Sequence, residues 1–165
     1  MNIRPASSDD TPTLIFLRDE RHVLLQQAAP YLREYPARLD FSIILSRPDV
    51  GVFVASDGAE DRVVGYIAAS SAPLDQPSAL PDAPNAGVLL ELALDAHRYH
   101  AGMGRALYRT AAGWLKEQGR TVCLIRVPRY HVVEQAFWRS LGAVEVRNVP
   151  EENRLPGWDW MKLLL

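Results

Sequence analysis

The stretch Leu89-Leu-Glu-Leu-Ala-Leu-Asp-Ala-His-Arg-Tyr-His-Ala-Gly-Met-Gly-Arg-Ala-Leu107 contains the transition that decides the fold. Its first part belongs to an apolar strand, Val88 to Asp95. Its last part opens a helix, Gly102 to Gln118, in which Met103, Leu107, Ala111, Trp114 and Leu115 recur at helical spacing and Gly119 stands where a left-handed C-cap residue belongs. A strand that passes through a short loop into a helix starting at Gly102 and Gly104 is suited to binding an anion. Glycines let the backbone come close to a phosphate, first-turn N–H groups have no intrahelical acceptor, and the helix dipole places partial positive charge at that end. Gly-x-Gly equally serves tight strand-to-helix packing, so spacing alone does not choose between the two.

Two competing phosphate motifs are excluded. A Walker loop needs Gly-Lys-Ser/Thr, which the chain lacks. A dinucleotide fingerprint needs a small residue at Leu107 and an acidic residue about twenty positions on, where the strand Thr121 to Val127 has none.

Outward from this stretch the chain alternates strands and helices. Asn2 to Pro5 is a short strand, and Ser7, Ser8, Asp9 and Asp10 supply capping groups for a helix reaching Gln27, with Leu14, Ile15, Leu17, Leu24 and Leu25 on its apolar face. Pro30 and Pro36 break the following region before a helical segment at Arg38 to Leu45. Val50 to Ala55 and Arg62 to Ser70 read as antiparallel strands joined by a turn-rich link. Ser71 to Gly87, with four prolines, is a long loop of the sort compact domains keep for function. The rest comprises the strand Thr121 to Val127, a helix His131 to Leu141 ending at Gly142, and closing strands Val144 to Val149 and Trp158 to Leu165.

These elements predict one α/β domain over residues 1–165, with a mixed, mostly antiparallel sheet of about six or seven strands flanked by about four helices. The 165 residues, 48% hydrophobic and 23% charged, suffice for one core. No apolar run is long enough to span a membrane, and MNIRPASSDDTP lacks an export signal, so a cytoplasmic protein is expected. Eighteen basic against twenty acidic residues, with no long run of one sign, argue against nucleic acid or anionic lipid as partner. The single cysteine, Cys123, forms no internal disulfide and no cysteine metal site; no metal is expected.

The chain resembles the GNAT superfamily of acetyl-CoA-dependent N-acetyltransferases along nearly its whole length. Ile3-Arg-Pro-Ala-Ser-Ser-Asp-Asp is similar to the family's first strand and helix start. Leu92-Ala-Leu-Asp followed by Gly102-Met-Gly-Arg-Ala-Leu is similar to its signature strand and pyrophosphate loop, Arg/Gln-x-x-Gly-x-Gly/Ala. Phe137-Trp-Arg-Ser-Leu-Gly-Ala resembles its late helix and turn, and Trp160-Met-Lys-Leu-Leu-Leu its final strand. The resemblance implies acetyl-CoA as co-substrate and an amine as acceptor. It assigns coenzyme binding to Leu92, Ala93 and Leu94, to the loop Tyr99, His100, Ala101, Gly102, Met103, Gly104 and Arg105, and to His131 and Trp138. Three positions depart from the pattern: Tyr99 replaces the loop's Arg or Gln, His131 the pantetheine-contacting Asn, and Trp138 the Tyr often proposed to protonate the leaving thiolate. A binding module without turnover is the alternative these departures leave open.

Acyl transfer to an amine needs a base for the ammonium, donors for the oxyanion and a route for the thiolate. Glu91, between Leu90 and Leu92 on the strand before the loop, is the leading base, since desolvation raises a carboxyl pKa; a solvent-facing residue on an amphipathic strand is the other reading. In the family this strand splays from its neighbour, exposing N–H groups near Leu92 and Leu94. Tyr108, Tyr130 and His131 are the donors left for the thiolate, although Tyr130 and His131 also suit a helix start. Cys123, Trp114 and Trp138 read as core. The apolar terminal strand Trp158 to Leu165 either completes its own sheet or pairs across a dimer axis, and a homodimer is expected.

Overall fold

The computed structural model describes residues 1–58, 60–72, 80, 83, 85–97 and 102–165. Seven strands, β1 (Asn2–Pro5), β2 (Val50–Asp57), β3 (Arg62–Ser70), β4 (Ala86–Leu94), β5 (Val122–Pro128), β6 (Val144–Glu145) and β7 (Trp158–Leu164), form one sheet in the order β1-β2-β3-β4-β5-β7-β6. Only β4 and β5 pair in parallel, because the helix between them returns the chain to the same edge. Four helices flank the sheet: α1 (Thr11–Ala28), α2 (Phe41–Ile44), α3 (Met103–Glu117) and α4 (Val132–Ser140).

Each helix lies where its apolar face finds a partner. α3 places Met103, Leu107, Ala111 and Leu115 on Phe53, Ile67, Leu89 and Ile125, and Trp138 of α4 joins that cluster. α1 and α2 cover the other face with Leu14, Leu17 and Phe41 against Val52, Val54, Tyr66 and Ala68. Ends follow local chemistry. Gly119 and Gly142 take left-handed conformations (φ +77° and +98°) behind α3 and α4, where a side chain would be strained. Ahead of α1, the Asp10 carboxylate accepts from the Ser7 N–H (2.8 Å) and pairs with Arg4 (2.8 Å), which holds its carboxyl below the usual range.

Three expectations need correction. The second helix is a single turn, because the Asp40 side chain accepts from the Ser42 N–H (3.0 Å) and so starts the helix at Phe41, leaving Arg38 outside. β6 stops at Glu145 rather than Val149; one more bond, Val146 N–H to the Trp160 carbonyl, precedes a left-handed Asn148 that turns the chain away. The terminal strand is not an edge. β7 pairs with β5 on one side and β6 on the other, burying Trp158, Trp160, Met161 and Leu163, so it completes its own sheet and the argument for a homodimer loses its premise.

Candidate active site

The site begins with one surplus residue in β4. Ala68 pairs with Glu91 and Ala69 with Leu89, so Leu90 is a bulge. Alternation would send Glu91 to the same face as Leu89, against α3. The bulge turns both Leu90 and Glu91 toward α1, beside Ala68 and Tyr66. β4 also parts from β5 here. The two strands pair only as far as Leu89 and Ile125, although β4 continues to Leu94 and β5 to Pro128. Asp95 N–H bonds the Val64 carbonyl, so the N–H groups of Ala93 and Asp95 face β3, and those of Leu92 and Leu94 face the gap.

One cavity, of about 550 Å³, opens between α1, α3 and α4. Leu92, Leu94, Gly102, Gly104, Arg105, Phe137 and Val133 line it. At its head Gly102 adopts φ +90°, a conformation natural to glycine, and Ala106 N–H makes the first helical bond back to the Gly102 carbonyl. The N–H groups of Met103, Gly104 and Arg105 precede that bond and find no backbone acceptor among the described residues. Gly104 must be small: a Cβ there would lie 3.2 Å from Phe137 Cζ.

A second cavity, of about 340 Å³, lies between α1, α2 and the diverging strands, with Glu91 in its wall. The two cavities share Arg21, Leu25 and Leu92. Arg21 holds this junction. Its Nε donates to the Leu92 carbonyl (2.9 Å), Nη2 to Glu134 of α4 (3.2 Å), and Nη1 lies 3.8 Å from the Glu91 carboxylate. The Tyr66 hydroxyl donates to Glu91 Oε1. Burial pushes the Glu91 carboxyl above the ordinary carboxylate value, although Arg21, the Tyr66 hydrogen bond and Arg18 all oppose the rise. Burial, with Glu91 beside it, raises the Tyr66 phenol, which therefore stays a neutral donor.

The structure gathers Glu91, Leu92, Leu94, Gly102, Gly104, Arg105, His131 and Trp138 around these connected cavities. Met103 offers its backbone there while its side chain is buried in the core. Ala93 does not join them, since its side chain packs toward α1 and its backbone turns to β3. Tyr99, His100 and Ala101 lie outside the described residues. Of the donors considered for the thiolate, Tyr108 is packed edge-on against Trp138 with its phenol pushed up to about 12 by burial, and Tyr130 is exposed away from both cavities. His131 lines the first cavity but caps α4: its Nδ1 accepts the Glu134 N–H (3.1 Å), which places the ring proton on Nε2. Cys123 is fully buried with its thiol pushed up to about 12, the state of a core residue. Trp138 is 1% exposed and its Nε1 has no hydrogen-bond partner among the described residues.

Arg21, Tyr66 and Glu134 were not legible as site residues. For Arg21 a signal exists: it stands within the stripe Leu14, Leu17, Leu25 that faces the core, where an unpaired charge is costly. Among the described residues there is no cluster of metal-ligating side chains and no helix long and apolar enough to cross a membrane.

Residues 15–143 match the profile of the acetyltransferase (GNAT) family, and the chain belongs to that family. Solved structures share its fold. The PaiA N-acetyltransferase of Thermoplasma acidophilum, in complex with coenzyme A, aligns at TM-score 0.74 and 18% identity over 99% of this chain and 98% of its own. The ribosomal-protein-alanine N-acetyltransferase of Brucella melitensis aligns at 0.69 and 20% identity over the whole of both chains. The ribosomal-protein-S18-alanine N-acetyltransferase of Escherichia coli aligns at 0.64 and 16%, over 99% and 92%. No curated protein sequence matches the chain.

Proposed function

We propose that the protein is an N-acetyltransferase that moves the acetyl group of acetyl-CoA directly to a primary amine of a small molecule or peptide, with Glu91 as base. The observation that carries this reading is the placement of a partly buried carboxylate where an apolar cleft headed by a helix N-terminus meets a second, charged cavity.

The residues of the cleft fit the coenzyme. Gly102 and Gly104 leave the first turn of α3 without side chains at the positions a pyrophosphate approaches, and the Met103, Gly104 and Arg105 N–H groups supply donors without backbone partners among the described residues. Tyr99, His100 and Ala101 are assigned to the same loop by the family pattern. The Leu92 and Leu94 N–H groups, directed into the gap between β4 and β5, would hold the pantetheine arm and the thioester carbonyl. When bound, acetyl-CoA supplies the activated acyl group. Coenzyme A in the complex of the PaiA relative supports this assignment.

Glu91 accepts the ammonium proton, and its raised pKa brings it closer to the range in which a carboxylate is an effective base. Arg21, 3.8 Å away, favours its ionised form. A thiolate can leave without a fixed acid, and the Nδ1 of His131 is already engaged in capping α4. The buried thiol of Cys123 gives no support to a covalent acyl-enzyme route.

The test is acetyl-CoA turnover across a panel of amines, with acetyl-CoA binding followed by thermal shift in parallel. Binding with turnover is expected. Binding without turnover on any amine would identify the non-catalytic module, the reading that Trp138 in the tyrosine's place favours, and no binding would refute both.

A further inference from the structure

The second cavity contains a cation that has no counter-charge among the described residues. Its wall carries four arginines. Arg18 bonds the Leu39 carbonyl (2.6 Å) and Asp19 (2.9 Å), Arg38 pairs with Asp19 (3.3 Å), and Arg21 is shared between Glu134 and Glu91. Arg126 has neither an ion pair nor a side-chain hydrogen bond among the described residues, and its Nε is buried without a partner. The remaining acid of the wall, Asp40, is committed to capping α2.

Arg126 is nevertheless held in place. It interrupts the apolar strand Val122-Cys-Leu-Ile-Arg-Val-Pro128, on the face opposite Ile125 and Val127, and its guanidinium lies 4.5 Å from the centre of the Trp160 ring. That is the same face as Glu91, on the other arm of the gap between β4 and β5. Burial lowers its pKa, with no acid among the described residues offsetting the effect. A positioned, partly desolvated guanidinium is suited to a carboxylate or phosphate, which it can grip through two parallel N–H donors.

We propose that the acceptor is a small anionic amine, carrying a carboxylate or phosphate that pairs with Arg126 while its amino group faces Glu91. This rests on the acetyl-transfer reading and narrows its substrate. The occupant is a compact zwitterion, because a cavity of about 340 Å³ presents on one strand a cation with no ion pair among the described residues and on the other a carboxylate. A polyamine or simple alkylamine would leave Arg126 unanswered and add positive charge beside it.

The experiment compares matched acceptors: L-amino acids against their amides and decarboxylated amines, and aminoalkyl phosphates against the same alkylamines. Wild-type kcat/KM should favour the anionic member of each pair by about 10²-fold, and the carboxylate and phosphate sets distinguish the two anions. Arg126→Gln should cost the anionic acceptors about 10- to 10²-fold, mostly in KM, with little change for the uncharged ones. Arg126→Lys should restore part of that loss. Calorimetric binding of the same amines to wild type and to both variants, with coenzyme A present, gives a readout independent of turnover. If no amine is acetylated but anionic amines bind and Arg126→Gln abolishes binding, the anion site stands and the acetyl-transfer reading falls. Equal use of both members of each pair, or equal loss for both in the variants, overturns the proposal, as does an absence of binding to anionic amines.

Discussion

The cavity against α3 and α4 is lined mostly by hydrocarbon and by the glycines of a helix start, with Arg21, Arg105, His131 and Glu134 on its wall, whereas the cavity against α1 and α2 carries four arginines, Asp40 and Glu91. The first offers backbone donors, fixed by the helix start and by the gap between β4 and β5. The second recognises by side-chain charge, and each charge depends on neighbours from other elements. A single change should therefore have different consequences on the two sides, one affecting occupancy and the other proton transfer.

The largest expected effect is on the charged side. Glu91→Gln keeps the shape of the side chain and removes the base, so turnover should fall by roughly 10²-fold or more while acetyl-CoA affinity stays near wild type. Steady-state kinetics with a binding titration checks this, and full turnover with an unchanged pH profile would show that the cavity contributes no base. On the backbone side, Gly104→Glu puts a bulky negative charge where Phe137 already lies within 3.2 Å of a Cβ. Acetyl-CoA should then lose its stabilising thermal shift, for roughly a tenfold or greater loss in affinity. A retained shift would place the phosphate elsewhere.

Removing Arg21 sharpens the comparison through pH. The groups facing Glu91 are Tyr66 from β3, Arg18 and Arg21 from α1 and Glu134 from α4. Arg21 favours the carboxylate, so in Arg21→Gln the Glu91 pKa should rise further, moving the acidic limb of the pH–rate profile upward. An unmoved limb would mean that another group limits the rate.

Stability should show the opposite sign from activity. A folded-state pKa raised above the unfolded value means that the native protein binds more protons between the two values. Glu91 thus supports the fold best below its unfolded pKa, and that support declines as pH rises through the folded pKa. Glu91→Gln should therefore melt no lower than wild type at pH 8, with its relative advantage shrinking in acid. The smallest effect belongs to the α4 cap. His131→Ala should cost about 1 kcal/mol in denaturant unfolding, and His131→Asn should recover most of it because Asn caps well.

How much of this was legible in sequence follows the same division. The strand, loop and helix around Gly102 and Gly104 were readable because backbone recognition leaves its mark as glycine spacing and helical periodicity within one segment. Glu91 was readable as a carboxyl among leucines, but not the face it occupies, because alternation has no marker for a bulge at Leu90. Arg21 and Tyr66 reach Glu91 from elements 70 and 25 positions away in sequence. Such a meeting is fixed by packing of α1 on the sheet, which no local pattern encodes. The terminal strand was left with two readings for a related reason: its apolar residues were legible, but its position between β5 and β6, which completes the sheet, is a property of topology.

Leu90 also bears on how the two halves of the site could be inherited. It is the one residue beyond what an alternating β4 requires, and Glu91 already faces α1 as the residue after Leu89 would in a regular strand. Loss of that single codon, in frame, would straighten the strand yet leave the carboxylate on its own side. What would go is the bend that accompanies the parting of β4 from β5, and with it the backbone donors opened toward the gap. On the proposed reading, the smallest deletion available to the gene would separate acyl-donor recognition from the base, whereas a point substitution at Glu91 would separate them in the other direction.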